Sequence, residues 1–197
     1  NIYKPNGLKE EKNLTYVKNI SPVEEVYSKI VEKKSFTVKG YDFIIQSEDN
    51  ESHIYTIDKD IFEEAVKSLI TTYVGKENYE NYLNDKQEKI ETVGTIYDNI
   101  YIQEEINVKE TQIPIDETIY TSALDLSQFL LYGKNPDSKT YKVKEGEMIT
   151  DIALKNEISN QEFLISNPKY KDENSLIAVG TEVSIYVDPD DIHIMNK

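Results

Sequence analysis

The spacing of apolar positions changes several times along the chain, and each change marks an element. Ser21-Pro22-Val23-Glu24 reads as a helix start, with a capping hydroxyl, proline in the first turn and a glutamate placed to close a capping box. Val23, Val26, Tyr27, Ile30 and Val31 then share one helical face, which predicts a helix ending near Lys33. Phe36, Val38, Tyr41, Phe43 and Ile45 alternate around Gly40, predicting a strand with a bulge or bend. A polar turn over Ser47 to Glu51 leads to a second strand, His53 to Ile57, so the pair reads as a hairpin.

Asp58 or Asp60 can cap the next helix, whose broad stripe holds Ile61, Phe62, Ala65, Val66, Leu69, Ile70, Tyr73 and Val74 before Gly75. Tyr79, Tyr82 and Leu83 predict a short helix after it. Val93 to about Ile115 is rich in β-branched and aromatic residues and reads as one or two strands, interrupted near Asn99 or Glu110. Ser122 to Leu131 closes the region as a helix, with Asp125 completing a capping box and Ala123, Leu126, Phe129 and Leu130 facing inward.

The remainder is denser. Tyr141 and Val143 alternate as a strand, and Gly146 turns into a helix carrying Ile149, Ile152 and Ala153. Ser159 and Glu162 form a second capping box, with Ile158 placed to staple onto Phe163. Phe163, Leu164 and Ile165 supply that helix's apolar side and Asn167-Pro168 ends it. Val183 and Ile185 return as a strand after the turn at Gly180. Strand, helix, helix and strand in so short a unit are most economically arranged as two antiparallel strands covered on one face by the helices.

The fold class is therefore α+β: an N-terminal α+β domain followed by a small βααβ domain. The expected boundaries are a flexible lead-in over residues 1–19, the first domain over 20–132, a linker over 133–139, the small domain over 140–188 and a tail over 189–197.

Composition narrows the function. With 37 acidic against 22 basic residues, a net charge of −15, the chain lacks the cationic surface that binding a nucleic-acid backbone or an anionic lipid requires. No cysteine is present, which excludes disulfides, thiolate metal sites and a cysteine nucleophile. No apolar run approaches the ~20 residues of a membrane-spanning helix. The two histidines, His53 and His193, have no partner at metal-ligand spacing, and neither Glu104-Glu105 nor the Asp188, Asp190, Asp191 run follows a calcium-loop pattern. Gly146 sits in no phosphate-loop pattern, and no serine or threonine has a base to activate it. The expectation is a segment with no catalytic centre, no metal and no cofactor. Fifteen tyrosines fall mostly on helix stripes and strand patterns, which reads as core.

Tyr141, Val143, Gly146, Ile149, Ile152, Ala153, Ser159, Leu164, Asn167, Pro168, Val179, Gly180, Val183 and Ile185 occur in the order and spacing of the LysM domain, which this quarter of the chain resembles. The resemblance implies a shallow groove for N-acetylglucosamine polymers, peptidoglycan or chitin, between the loop leading into the first helix and the loop after the second. Carried over, the glycan-binding residues are Gly146, Glu147, Met148 and Ile149 on one side and Ile165, Asn167 and Pro168 on the other. Two positions depart from the family pattern: Glu147 stands where aspartate is usual and Met148 where threonine is usual, which removes a hydroxyl cap worth about 0.5–2 kcal/mol if nothing replaces it. The loop from Lys169 to Ala178 is also long and charged.

Residues 21–132 together with the LysM-like part are also similar, in general character, to the non-catalytic front half of secreted Gram-positive cell-wall endopeptidases of the lysostaphin type. That likeness implies an extracellular or cell-envelope location and a downstream catalytic domain of the same polypeptide. Two readings follow: non-catalytic binding of N-acetylglucosamine-containing glycan, or a structural or protein-interaction module in which sugar binding has been lost.

Overall fold

The computed structural model describes residues 1–12, 20–47, 50–87 and 95–187, and its contacts divide the chain into two compact units. Glu48 and Asp49 of the hairpin turn, Val93 at the start of the expected strand region, the carboxylates Asp188, Asp190 and Asp191, and His193 lie outside the described residues.

The first unit, Asn1–Lys59 with Ile102–Thr121, carries β1 (Ile2–Tyr3), α1 (Val23–Val31), β2 (Thr37–Gln46), β3 (Glu51–Thr56), β4 (Glu105–Pro114) and β5 (Ile119–Tyr120). Strand β2 organises it. One edge pairs antiparallel with β4 over all ten residues, from Thr37 opposite Pro114 to Gln46 opposite Glu105. The other edge is shared: β3 takes Tyr41 to Gln46 as the expected hairpin, and β1 takes Thr37 and Val38. Strand β5 adds to β3 in parallel.

Two expectations change here. The β2–β4 register runs without interruption through both Gly40 and Glu110, so neither position is a bulge or a break. Glycine is needed at 40 for space: a Cβ there would lie 2.4 Å from the Thr56 carbonyl oxygen and 2.6 Å from Ile113 Cδ1. The apolar face of α1 is also less covered than its pattern implies. None of its residues is buried and Val23 is 79% exposed, while Tyr27 stacks on Phe36 with ring centroids 5.7 Å apart.

The second unit, Asp60–Tyr101 with Ser122–Lys197, holds nearly all of α2 (Lys59–Val74), then α3 (Lys76–Leu83), α4 (Ala123–Tyr132), β6 (Asp137–Lys142), α5 (Ile149–Lys155), α6 (Asn160–Ser166) and β7 (Glu182–Val187). Strands β6 and β7 pair antiparallel from Asp137 opposite Val187 to Lys142 opposite Glu182. Val143, Ile149, Ile152, Ala153, Phe163, Val183 and Ile185 are buried together, which is the expected βααβ core. Each of the larger side chains among them contributes on the order of 1.5–3 kcal/mol relative to exposure. The Ser159 box forms as its sequence implies: the Ser159 backbone N–H donates to Glu162 Oε2 at 2.7 Å, and the Glu162 N–H donates to Ser159 Oγ at 3.2 Å. Ile158 is half-buried against the Phe163 cluster.

Helix α4 buries a different stripe from the one expected. Leu126 is buried, but Leu131 and Tyr132 replace Ala123, Phe129 and Leu130 as its most enclosed apolar residues, because they pack on Ile165 of α6. Strand β6 begins at Asp137, so four residues separate it from α4. Tyrosines too differ from the core reading. Tyr132 is buried, Tyr27 and Tyr73 are exposed, and Tyr41, Tyr55, Tyr79, Tyr82 and Tyr97 are half-buried. A phenol ring at the margin of a core keeps its hydroxyl within reach of polar partners, as where Tyr82 Oη accepts from the Ile100 N–H. Among the described residues no helix is long and apolar enough to cross a membrane.

Replacement of Gly40 by alanine should push β2 away from Thr56 and Ile113 and destabilise the first unit by about 1–3 kcal/mol. Chemical denaturation followed by circular dichroism reads the loss; an unchanged midpoint would contradict the packing argument.

Candidate functional site

The loop between β6 and α5 begins where Val143 leaves the sheet. The Val143 N–H donates to the Thr181 carbonyl at 2.9 Å and its carbonyl accepts from the Gly180 N–H at 2.8 Å, so the loop is anchored to the entrance of β7. Gly146 has φ +79° with open space around its Cα, so here glycine is demanded by backbone conformation alone. Gly146 and Met148 are exposed, Met148 to 53%.

Glu147 points inward. Its side chain is 6% exposed and its carboxylate accepts from the Tyr141 hydroxyl at 2.7 Å, from the Lys144 backbone N–H at 2.8 Å and from the Lys155 ammonium. The hydrogen bond from Lys155 is the main reason that this carboxyl is lowered from 4.5 to about 2, helped by the Lys144 N–H and the Tyr141 hydroxyl and opposed by burial. The partners respond in the expected sense: Lys155 and Tyr141 are both raised, each chiefly by its hydrogen bond to Glu147. Glu147 thus braces the loop. The longer side chain at this position spans from β6 to the last turn of α5.

Met148 is the N-cap of α5, with extended backbone angles and no hydroxyl to offer. Asp151 supplies the reciprocal half of a capping box instead, its Oδ2 accepting from the Met148 N–H at 2.9 Å. The missing threonine is therefore offset from the other end of the first turn. Ile149 is fully buried in the core and supports the loop from below.

On the second side, the expected residues separate in role. Ile165 is 3% exposed and packs with Leu131 and Tyr132 of α4, flanked by Leu69, Leu124 and Tyr186. Asn167 is 6% exposed and its side-chain amide is committed to structure. Nδ2 donates to the Phe163 carbonyl at 3.0 Å and the Ser184 carbonyl at 2.7 Å, and Oδ1 accepts from the Ser184 N–H at 2.9 Å. Pro168 is exposed. Of the seven residues expected in the groove, Gly146, Met148 and Pro168 present surface, Glu147 and Asn167 lock the two loops, and Ile149 and Ile165 lie in cores.

The acidic loop is more ordered than its composition implies. The Lys171 and Asp172 N–H groups donate to Ser175 Oγ at 3.2 Å, and the Asn174 N–H donates to Asp172 Oδ1 at 2.9 Å, so Asp172 is turned into its own loop. Leu176 and Val179 follow with 97% and 63% exposure, apolar surface that the sequence reading of the groove left out. The position of Leu176 just before the half-buried Ile177 is the signal that marks it as outward-facing.

Elsewhere, His53 Nδ1 lies 2.9 Å from Asp42 Oδ1 and its Nε2 lies 3.2 Å from Glu51 Oε1, and the Asp42 contact is the main cause that raises its pKa. This is a paired strand histidine. Among the described residues no group of three or more histidines or carboxylates is arranged to hold a metal. Two open clefts of about 300 and 270 Å³ lie in the first unit, one lined by Lys4, Lys34, Asp116 and Glu117 and the other by Tyr3, Lys39 and Glu110. Their mixed charges do not select a ligand, and neither includes a residue of the small domain.

Two predictions follow from the locks. Asn167→Ala removes three hydrogen bonds and strands the Ser184 backbone groups, so thermal unfolding should show a loss of about 2–3 kcal/mol. Glu147 has a folded pKa below its ordinary value, so its contribution to stability is full above pH 4.5 and disappears as pH falls toward about 2. The stability gap between the native chain and Glu147→Gln, measured by unfolding across that range, should close with acidification; a constant gap would contradict the ion-pair account.

No curated protein sequence and no solved structure matches the chain at a significant level. Residues 141–185 match the family model of the LysM domain, a non-catalytic module that in general binds peptidoglycan- and chitin-type glycans and is typical of cell-wall-associated or extracellular proteins.

Proposed function

We propose that the chain binds N-acetylglucosamine-containing glycan of the cell wall through the rim formed by Gly146 and Met148 on one loop and by Pro168, Leu176 and Val179 on the other. The observation that supports this reading most is that both loops keep exposed apolar and backbone surface over a closed core, while two of their acidic side chains, Glu147 and Asp172, are hydrogen-bonded within the loops. Neutral sugars call for this combination, apolar contact for ring faces and backbone amides and carbonyls for acetamido groups. Binding is groove recognition without bond breaking. In a secreted Gram-positive cell-wall peptidase of the lysostaphin type, such a segment would hold the catalytic domain against its substrate.

A second reading has one observation in its favour. The burial of Ile165 against α4 makes the small domain a packing partner for helices outside it, which suits a bracing or protein-interaction module.

Titration of the 197-residue chain with chitooligosaccharides or soluble peptidoglycan fragments separates the two. Glycan binding should move amide resonances of residues 144–149 and 167–180 saturably and with little dependence on salt, because few charges are neutralised. A spectrum unmoved at millimolar sugar would leave the bracing role and remove the glycan role.

A further inference from the structure

Helix α6 is only two turns long, yet it is buried on two sides. At about 100° per residue, Phe163 and Ile165 project in nearly opposite directions. Phe163 enters the βααβ core, where it is fully buried, and Ile165 enters a separate cluster with Leu131 and Tyr132. That second cluster is supplied by residues N-terminal to the 141–185 match, apart from Ile165 itself and Tyr186.

The end of α6 leaves carbonyl groups that the helix cannot satisfy, and each needs a donor from elsewhere. Asn167 serves two of them: its side chain donates to the Phe163 carbonyl and its backbone N–H to the Leu164 carbonyl at 3.2 Å. The Ile165 carbonyl is served from outside the small domain. Gln128 of α4 donates to it through Nε2 at 2.9 Å. The same helix reaches β7, where the Tyr132 ring meets Tyr186 edge-on at 5.1 Å. Pro168, the first exposed residue on the second side of the rim, follows three residues after this carbonyl.

We propose that Gln128 is a positioning residue for glycan binding: α4 fixes the last turn of α6 from behind, through the Gln128 hydrogen bond to the Ile165 carbonyl, and so sets where the Pro168 side of the groove stands. The inference rests on the glycan reading above. It extends the binding unit beyond the LysM match, because a donor outside residues 141–185 holds one wall of the groove. The four residues between α4 and β6 keep the donor tethered close by, so little chain entropy opposes the docking.

The test uses the 197-residue chain, with N-acetylglucosamine hexamer as the probe and amide resonances as the readout. Gln128→Met keeps the length and apolar packing of the side chain but removes the donor, and should weaken binding by up to about tenfold, because shifting the groove wall can cost no more than the one hydrogen bond that held it. Gln128→Glu should weaken it similarly near pH 7 and recover near pH 4, where a protonated carboxyl can donate again, while native affinity stays level across that range. General loosening of the fold would not recover with acid. If the native chain binds and both variants bind equally well at either pH, the positioning role is overturned. If the native chain fails to bind, the glycan reading itself falls, and this inference with it. Should Gln128→Met fail to fold, the pH response of Gln128→Glu decides alone.

Discussion

The second unit depends on how the end of α6 is held. Seven residues cannot sustain a helix by backbone hydrogen bonding alone, because nucleation consumes most of what so few bonds return. Burial on two faces and outside donors at the carbonyl end supply the rest. Phe163 locks one side into the βααβ core, Ile165 locks the other to α4, and Asn167 ties the terminus to Ser184 of β7. Pro168, which follows directly on the end of α6, inherits its position from these three attachments.

A second constraint is electrostatic. The chain carries a large excess of acid, and strongly negative loops would repel anionic polymers. Two acidic groups in the loops are instead engaged by hydrogen bonds within those loops, Glu147 buried and Asp172 at the surface. Glu147 gathers a hydroxyl, a backbone N–H and an ammonium around its carboxylate, and Asp172 caps the turn that contains it. The substitutions that set this segment apart from the family pattern therefore have structural consequences: Glu147 reaches further than aspartate would, and Asp151 takes up the capping that Met148 cannot provide.

Much of the fold was legible in the residues. The β2–β3 hairpin, the long apolar helix ending before Gly75, the Ser159 capping box and the core positions of the small domain follow from period, caps and turn residues. These signals are local, spanning one element or the turn between two. Gly40 shows where local reading stops. A glycine within an alternating strand reads equally as a bend or as a point of close approach, and only the position of Thr56 and Ile113 across the sheet decides between them.

The same division runs through the site. The sequence by itself pointed to a LysM-type unit over residues 141–185, because its glycine, aliphatic and Asn-Pro positions occur in the order and spacing of that family, whose model matches the same residues. It also carried the loops on which a groove would form. Tertiary structure alone decided which of the residues expected in the groove face solvent. Ile165 is apolar on a short helix whose both faces are apolar, and its partners Leu131, Tyr132 and Leu69 are distant along the chain, so no local period could assign it to α4. Gln128 carries no motif at all. Its role arises because a helix end presents an unsatisfied carbonyl where α4 happens to pass, and that meeting exists only in three dimensions.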